Sequence, residues 1–595
     1  MFQTFRATTT PDQGPPRLAA LRSAMADEGI DAFLVPRADA HQGEYVAARD
    51  ERLAWLTGFT GSAGIAALTR DAAGIFVDGR YRLQVRVQVA GDFTPVDWPA
   101  TRPEDWLATR LPRGAVLGFD AWLHTAAEVE RMERKLAPAG VVLRPCENLI
   151  DRIWTDQPSP PAGHAEAYPV ELAGRTSTEK RAELGRVLRE AGQMAAVLTL
   201  PDSISWLLNL RGRDLPQMPV LQAFAILHAD GIVDLFADPA KLEHVDPGHE
   251  VRVLRPDRLA PALAALRGPV RVDKATAPLA VSEILTAAGI EVAWGEDPCI
   301  LPKARKTPAE IAGTREAHLR DGAAMVEFLC WLDTAAPGGK LTEIEVVKKL
   351  ETFRRATNAL RGISFDTICG AGEHGAIVHY RVTEETDRPV RPGELLLIDS
   401  GGQYLDGTTD ITRTVAVGAP TAEMRDCFTR VLKGMIAISR ARWPRGLAGR
   451  DLDPLARAAL WRAGLDYDHG TGHGVGVFLG VHEGPQRISR ISEIALEPGM
   501  ILSNEPGYYR EGAFGIRIEN LVVVEEAPKI GDGRDQLAFE TLTYVPIDLR
   551  LVEPAILSPG ERGWLNAYHA EVARRIGPRV GSAARDWLMA ATRAI

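Results

Sequence analysis

The sequence lacks the marks of an exported or membrane-spanning chain. Residues 1–12 contain no apolar core of signal-peptide length, and no later run approaches the roughly 20 apolar residues that a membrane helix requires. Residues 1–15 are polar and contain prolines, so we expect this segment to be frayed. These absences predict a cytoplasmic protein that has no membrane partner.

Cysteine is scarce. Five cysteines are scattered along the chain: Cys146, Cys299, Cys330, Cys369 and Cys427. Their odd number and their spacing, which matches no metal-binding pattern, are typical of free, buried thiols in a reducing compartment.

No strong excess of one charge is present. A net charge of −10 is mild for 595 residues and argues against a nucleic-acid-binding surface. The hydrophobic fraction of 45% and the charged fraction of 25% are ordinary for a soluble globular protein. Because the chain is too long for a single hydrophobic core, we expect three or four domains.

The sequence pattern of the first half of the chain predicts two related α/β domains. Helical and strand-like stretches alternate to about residue 150, and Pro158-Ser-Pro-Pro is a natural linker. After a capping box at Thr176 and Glu179, the order of the first domain returns. Three pairs of segments are similar: 32–35 with 195–200, 53–61 with 204–212, and 74–78 with 233–238. We predict a duplicated domain with boundaries of 1–160 and 161–302.

The second half predicts a different architecture. Thr307, Pro308 and Glu310 form the clearest helix start, and this helix should run to about residue 335. A second helix over 342–355 follows, then strands, two more helices and further strands. The predicted strands cover 367–370, 376–380, 394–399, 410–417, 499–503 and 515–524. This order is that of a pseudo-two-fold half-barrel over residues 303–547, with a helical tail over 548–595 that docks on it.

Four acidic residues and one histidine stand at the edges of apolar runs in this half: Asp399, Asp410, His473, Glu505 and Glu519. A lone aspartate at the end of a strand is usually a turn former, and a lone histidine is usually structural. The joint pattern argues for ligands, because a buried charge is costly without a partner. A pair of divalent cations would relieve the mutual repulsion of these carboxylates. Oxygen-rich ligation with one imidazole suits Mn²⁺ best, with Zn²⁺ or Co²⁺ possible.

The residues around Arg517 alternate with period two. In Ile516-Arg517-Ile518-Glu519 this alternation places Arg517 and Glu519 on one face of a strand and both isoleucines on the other. Asp399 and Asp410 are separated by a turn rich in glycine and threonine, which predicts a hairpin that carries both carboxylates.

Four motifs carry a family resemblance: Ile398-Asp-Ser-Gly-Gly-Gln-Tyr, Asp406-Gly-Thr-Thr-Asp-Ile-Thr-Arg-Thr, His469-Gly-Thr-Gly-His-Gly-Val-Gly and Asn504-Glu-Pro-Gly-Tyr-Tyr. The five residues above match, in order and type, the dinuclear metal ligands of the pita-bread metallopeptidases of family M24. The flanking residues resemble the long, three-domain cytosolic Xaa-Pro aminopeptidases, also called aminopeptidase P. The resemblance covers nearly the whole chain.

This resemblance implies a fold and a set of metal ligands. The fold is two creatinase-N-like α/β domains, a pita-bread catalytic domain of mixed α+β type and a short helical tail. Asp399 would hold one ion, His473 and Glu505 the other, and Asp410 and Glu519 would bridge the two. A hydroxide shared by the ions would attack the peptide carbonyl, and Glu505 would pass the proton to the leaving nitrogen.

Three further histidines match the family pattern: His379, His469 and His482. From spacing alone His379 is as consistent with a satisfied core histidine as with a functional residue. The resemblance implies that all three line the proline-binding side and stabilise the developing tetrahedral charge. It also implies that Tyr509 and Arg517 support the metal site, although Arg517 could merely neutralise nearby carboxylates.

The implied activity is release of the N-terminal residue from peptides that carry proline in the second position. A homodimer is implied as well. One alternative is a prolidase, which cleaves only Xaa-Pro dipeptides. Others are a non-catalytic pita-bread protein that binds partners or RNA, and a metal-free creatinase-like enzyme. Relatives of these last two kinds typically lack metal ligands, whereas all five ligand positions are filled here.

Overall fold

The computed structural model describes residues 1–595, which form two compact units. One unit is Thr8–Lys303, and the other combines Met1–Ala7 with Ala304–Ile595. None of the helices has both the length and the apolar character needed to cross a membrane. All five cysteines are free, with Cys299, Cys369 and Cys427 buried and the other two partly buried.

The N-terminal unit begins with an α/β domain. Its strands are β1 (Ala32–Pro36), β2 (Ile65–Thr69), β3 (Ala73–Val77), β4 (Thr94–Asp97), β5 (Val116–Phe119) and β6 (Val142–Pro145). Its helices are α1 (Gly14–Glu28), α2 (Arg52–Thr57), α3 (Arg82–Gln88), α4 (Pro103–Ala108), α5 (Ala126–Leu136) and α6 (Leu149–Ile153).

A second α/β domain follows. Its strands are β7 (Glu166–Ala167), β8 (Ala195–Leu198), β9 (Leu210–Arg211), β10 (Phe224–His228), β11 (Val233–Phe236), β12 (Val251–Leu254), β13 (Val270–Val272) and β14 (Val292–Trp294). Its helices are α7 (Val170–Ala173), α8 (Ser177–Glu190), α9 (Pro201–Leu208), α10 (Leu259–Ala264), α11 (Leu279–Ala287) and α12 (Ile300–Ala304).

The two domains share one sheet topology, which confirms the predicted duplication. The strand orders are β4-β3-β2-β1-β5-β6 and β12-β11-β10-β8-β13-β14. Corresponding strand pairs run in the same direction in both sheets. Strand β2 is antiparallel to both of its neighbours, and so is β10, its counterpart in the second sheet. All other neighbouring strands are parallel. The predicted capping box at Thr176 and Glu179 begins α8.

The C-terminal unit contains six helices and fourteen strands. The helices are α13 (Pro308–Ala335), α14 (Glu343–Arg355), α15 (Ala422–Ser439), α16 (Gly449–Trp461), α17 (Pro559–Ile576) and α18 (Ser582–Ala591). The strands are β15 (Leu360–Ile363), β16 (Ile368–Ala371), β17 (Leu395–Ser400), β18 (Gly402–Tyr404), β19 (Gly407–Thr408), β20 (Ile411–Ala416), β21 (Arg442–Pro444), β22 (Gly472–Gly474), β23 (Glu483–Ile488), β24 (Ile501–Asn504), β25 (Gly507–Arg510), β26 (Phe514–Arg517), β27 (Asn520–Ala527) and β28 (Gln536–Thr541).

This unit repeats the predicted order of two helices followed by strands. The first half packs α13 and α14 against the sheet β16-β17-β20, and their side chains share one apolar core. The second half pairs α15 and α16 with the sheet β21-β28-β27-β24-β22-β23. The capping box at Thr307 begins α13 as predicted, and another at Ser558 begins α17. The pseudo-two-fold expectation is therefore confirmed.

The first residues of the chain are ordered, contrary to the expectation of fraying. The Gln3 side chain exchanges two hydrogen bonds with the Thr367 backbone, at 3.3 and 2.9 Å. Phe5 is buried in the core that α13 and α14 share with their sheet. These tertiary contacts, which residue composition does not reveal, fix the segment.

Two strand predictions were wrong. Residues 376–380 form the end of a 3₁₀ helix and a turn, so His379 lies in a turn. The predicted strand over 515–524 is broken at Ile518 and Glu519 into β26 and β27. The break arises because β26 pairs with β25, whereas β27 pairs with β24 and β28.

The 3₁₀ helix Gly372–Ala376, which leads into the turn that carries His379, packs tightly on β26. A Cβ atom added at Gly515 would overlap the carbonyl oxygen of Gly375, which is backbone and has no free rotation. We expect Gly515→Ala to lower the free energy of unfolding by about 1–3 kcal/mol and to reduce activity, because β26 carries Arg517.

Gly362→Ala in β15 is the matched control, because an added Cβ there meets no atom within 4 Å. We expect it to stay within about 0.5 kcal/mol of the parent. Calorimetric unfolding of the parent and the two variants measures both changes in stability. Equal melting temperatures for the two variants would contradict the packing argument.

Candidate metal centre

The predicted carboxylates of the first half lie on adjacent antiparallel strands. Asp399 sits in β17 opposite Thr412 of β20, and Asp410 immediately precedes β20. The connection is longer than the predicted hairpin, because β18 and β19 form a small hairpin of their own between the two strands. Strand register nevertheless places both carboxylates at the same end of the sheet.

The second half contributes its carboxylates in the same way. Asn504 of β24 pairs with Asn520 of β27, so Glu505 and Glu519 lie just beyond the last paired residues of two neighbouring strands. The Glu519 N–H donates to the Thr412 carbonyl at 3.1 Å and so joins the two halves of the unit at the site.

His473 completes the group from β22. Its Nε2 lies 3.5 Å from Asp410 Oδ2 and 3.3 Å from Glu505 Oε1. One ligand atom from each of Asp410, His473 and Glu519 falls within 4.8 Å of the others, a separation that can surround a metal ion. The structure therefore brings the five predicted ligands together.

The orientation of the His473 ring suits metal ligation. Its Nδ1 lies 3.0 Å from the Gly474 carbonyl oxygen, which can only accept a hydrogen bond. Nδ1 therefore carries a proton, and Nε2 is the ring nitrogen that faces the carboxylates and can ligate a metal ion.

Three buried carboxylate oxygens fit bound cations. Asp399, Asp410 and Glu519 are 8%, 4% and 1% exposed. Each keeps one oxygen without a hydrogen-bond partner: Asp399 Oδ1, Asp410 Oδ1 and Glu519 Oε1. Leaving such a group unpaired in the interior is costly, and a hard divalent cation is the partner that carboxylate oxygens prefer.

The raised pKa values of two of these carboxyls also support a cation site. Burial raises the pKa of the Asp410 carboxyl well above its ordinary value, and the charges of Asp399 and Glu505 raise it further. Burial likewise raises the pKa of Glu519 well above its ordinary value, with Asp410 and Glu505 adding to the effect. Without a cation, the site therefore holds protons that a metal would displace.

Arg517 is the internal cation of the site. Its Nη2 donates to Asp399 Oδ2 at 2.7 Å, and its Nη1 donates to the Tyr509 hydroxyl. The Thr412 hydroxyl accepts from Arg517 Nε at 3.2 Å and donates to Glu519 Oε2 at 2.8 Å. Thr412 thus links Arg517 to Glu519, a role that no sequence signal indicated.

Tyr509 connects Arg517 to His469. Burial raises the pKa of Tyr509 to about 12, so its hydroxyl keeps its proton. The hydroxyl lies 2.9 Å from His469 Nε2, while His469 Nδ1 lies 2.8 Å from the Gly470 carbonyl oxygen. His469 therefore accepts from Tyr509 at Nε2 and donates to Gly470 from Nδ1.

The other two histidines differ in placement. The His482 ring meets the His473 ring edge to face, with centroids 4.2 Å apart, so it lies beside the predicted ligands. His379 is half-buried in the turn that packs on β26. Ser503, which no sequence signal singled out, donates to Glu505 Oε1 at 2.9 Å.

Models of known protein families identify the class of protein to which this chain belongs. The model of metallopeptidase family M24 matches residues 312–526, and that of the C-terminal region of M24 peptidases matches 535–595. Two creatinase/prolidase N-terminal domain models match residues 17–153 and 156–310. The chain thus combines an M24 peptidase unit with two domains of the creatinase N-terminal type.

Individual relatives identify the family within the M24 peptidases. Aminopeptidase P2 of Arabidopsis thaliana is 39% identical over 97% of this chain and 88% of its own length. A probable Xaa-Pro aminopeptidase P of Talaromyces stipitatus is 38% identical over 93% of this chain and 88% of its own. The chain therefore belongs to the aminopeptidase P family.

One solved structure matches the whole fold. The X-prolyl aminopeptidase of Caenorhabditis elegans, described as a cytosolic enzyme with a di-nuclear active site, superposes with a TM-score of 0.94. It is 35% identical, and the match covers 98% of this chain and all of that one.

Proton–metal competition gives a test that does not depend on activity. Because the pKa values of Asp410 and Glu519 are raised on folding, the metal-free native state binds more protons than the unfolded state. Its stability therefore falls as pH rises through the window above the ordinary carboxyl values. We expect Mn²⁺ to raise the melting temperature more at pH 8 than at pH 5, and to release protons on binding.

Calorimetric titration in buffers of different ionisation enthalpy counts the released protons. Asp410→Asn is the informative variant, since it removes one repelling charge. It should melt above the parent at pH 8 without metal, yet lose most of the Mn²⁺-induced increase. An increase that is equal at both pH values would contradict a site built from these carboxyls.

Proposed function

We propose that this chain is a metal-dependent Xaa-Pro aminopeptidase, which releases the N-terminal residue from peptides with proline in the second position. The observation that carries the proposal is a cluster of four carboxylates and one histidine, in which three of the carboxylates are buried and each of these three keeps one oxygen without a hydrogen-bond partner. The family to which the chain belongs gives this group its reaction.

Five residues would hold two divalent cations. We assign Asp399 to one ion, His473 and Glu505 to the other, and Asp410 and Glu519 to both. Bound cations supply a Lewis acid for the scissile carbonyl and lower the pKa of water towards neutrality. The oxygen-rich ligand set favours Mn²⁺.

The chain's own groups handle protons and position. Glu505, whose Oε1 accepts a hydrogen bond from Ser503, carries the proton to the leaving nitrogen. The Nδ1-protonated tautomer of His469 leaves Nε2 in contact with the Tyr509 hydroxyl, next to Arg517. This chain of hydrogen bonds fixes the guanidinium that pairs with Asp399.

Proline specificity is assigned to the histidines. Proline has a fixed φ and its amide lacks an N–H, so a rigid pocket can recognise the ring where a strand-like peptide site would fail. We assign His379, His469 and His482 to the substrate side, with Tyr509 and Arg517 supporting them. The relatives' names favour longer Xaa-Pro peptides over the dipeptides that a prolidase cleaves.

The remaining assignments concern organisation. We propose domain boundaries at 160, 302 and 547; the four family models, over 17–153, 156–310, 312–526 and 535–595, support a division into four parts, with divisions near but not at these positions. The two N-terminal domains carry none of the five ligands, so their work is packing or assembly. We also propose a cytosolic homodimer; the description of the worm enzyme as cytosolic supports the location.

The first experiment compares three substrates in the presence of Mn²⁺. We expect release of the first residue from Xaa-Pro-Zaa, and none from Xaa-Ala-Zaa or from the Xaa-Pro dipeptide, by mass spectrometry of the products. Glu505→Gln should lower kcat by about 10²–10⁴. Glu493→Gln, at an exposed carboxylate that pairs with Arg450, should retain full activity. Cleavage of the dipeptide alone would indicate a prolidase.

Blocking the substrate amine gives a second prediction. An exopeptidase must recognise the free N-terminal amine, and a cation can do so by coordinating it. N-acetylated Xaa-Pro-Zaa should therefore be cleaved at least about 100-fold more slowly than the free peptide, a difference of about 2.7 kcal/mol in transition-state binding. Comparable rates for the two peptides would mean that amine recognition is absent.

A further inference from the structure

An ion pair lies buried in α16, away from the five predicted ligands. Asp453 and Arg457 are one helical turn apart, and Arg457 Nε donates to Asp453 Oδ2 at 2.8 Å. Both side chains are almost completely buried. A buried ion pair often adds little net stability over an apolar pair of the same volume, so stability alone does not explain this one.

Arg457 holds the backbone of the segment that precedes His473. Its Nη2 donates to the His469 carbonyl at 2.7 Å, and its Nη1 donates to the Tyr467 carbonyl at 2.8 Å. The guanidinium also lies 3.9 Å from the centroid of the Tyr467 ring. The fork of Arg457 thus clamps two alternate residues of one segment.

Asp453 holds the same segment at its other end. Its Oδ1 accepts from the Thr471 hydroxyl at 2.6 Å. Because the Thr471 hydroxyl donates its only proton to this carboxylate, the Tyr467 hydroxyl must be the donor in its hydrogen bond to Thr471 Oγ1. The Thr471 carbonyl in turn accepts from the Glu505 N–H at 2.8 Å.

From these contacts we propose that the Asp453–Arg457 pair is a positioning device for the reaction. It fixes His469 through its carbonyl, and it fixes the backbone of Glu505 through Thr471. Asp453, Arg457, Tyr467 and Thr471 are not among the residues assigned to metal or substrate, and they act through His469 and Glu505. The inference rests on the proposed function, since it assumes that those two residues serve catalysis.

The physical need for such a device comes from Gly470, which lies between His469 and Thr471. An added Cβ there would meet no atom closer than 3.4 Å, so packing does not restrain Gly470, and glycine leaves the backbone with more freedom than any other residue. Catalytic groups must be held within about 0.5 Å of the productive geometry. Hydrogen bonds at 467, 469 and 471 restrain this segment at alternate residues.

The test removes one hydroxyl at nearly constant volume. Thr471→Val deletes the bond to Asp453, and Thr471→Ser keeps it. At saturating Mn²⁺ we expect kcat for Xaa-Pro-Zaa to fall about 10- to 100-fold in Thr471→Val, with KM changed less than about threefold. Thr471→Ser should recover kcat to within about threefold of the parent.

The matched control is Thr429→Val. Thr429 is also buried, and its hydroxyl donates to the Arg425 carbonyl at 2.7 Å and accepts from the Glu553 N–H. It lies in α15 and has no bond to this network. We expect its melting temperature to fall as much as that of Thr471→Val, while its kcat stays at the parent value.

Arg457→Lys supplies a second variant that keeps the charge but loses the fork. It should also lower kcat more than KM, because one ammonium cannot donate to Asp453 and to both carbonyls with the same geometry. If Thr471→Val and Arg457→Lys keep the parent kcat below their melting temperatures, the pair is merely structural and the proposal is overturned.

The result is separable from a failure of the proposed function. If the proposed function fails, either the parent chain does not cleave Xaa-Pro-Zaa, or His469→Ala and Glu505→Gln cleave it as fast as the parent. Loss of activity in those two variants, with parent kcat in Thr471→Val, would refute the positioning role alone.

Discussion

Mutual repulsion among buried carboxylates is the constraint on which the C-terminal unit depends. Two like charges 4 Å apart cost about 4 kcal/mol at an effective dielectric of 20, and this site gathers four carboxylates. Arg517 neutralises part of the charge through Asp399. The rest must be met by protons or by cations, because burial first, and then the neighbouring carboxylates, raise the pKa values of Asp410 and Glu519. Metal binding and the folding stability of this unit are therefore thermodynamically linked, because a cation that binds the native site also stabilises the native state.

The pseudo-two-fold architecture explains how the ligands meet. Asp399 and Asp410 come from the sheet of the first half, and His473, Glu505 and Glu519 come from that of the second. Each carboxylate lies at or near the end of a strand whose register with a neighbour is fixed by backbone hydrogen bonds. Neither half holds a complete ligand set, so the site forms only when both sheets are in place.

Local sequence signals predicted most of the elements, and they singled out five residues that the fold brings close together. Helix starts such as Thr307-Pro308 depend on contacts within one turn, and the five candidate ligands stand out because charge interrupts apolar runs. The turn at His379 was missed because it depends on the close approach of Gly375 to Gly515, about 140 residues apart. Thr412 and Ser503 were missed for a similar reason, since a threonine or serine in a strand looks alike whether or not it supports a ligand.

Glycine in the His469–Gly476 motif is better explained by packing than by flexibility. An added Cβ at Gly472 would overlap the Ser503 carbonyl, and one at Gly474 would overlap that of Glu483. The motif thus lets β22 lie close against its neighbours, which brings His473 to Glu505. Close packing of backbone does not restrain the segment before β22, where Gly470 has room for a side chain. The rigidity there must be supplied from outside, and α16 supplies it through Arg457 and Asp453.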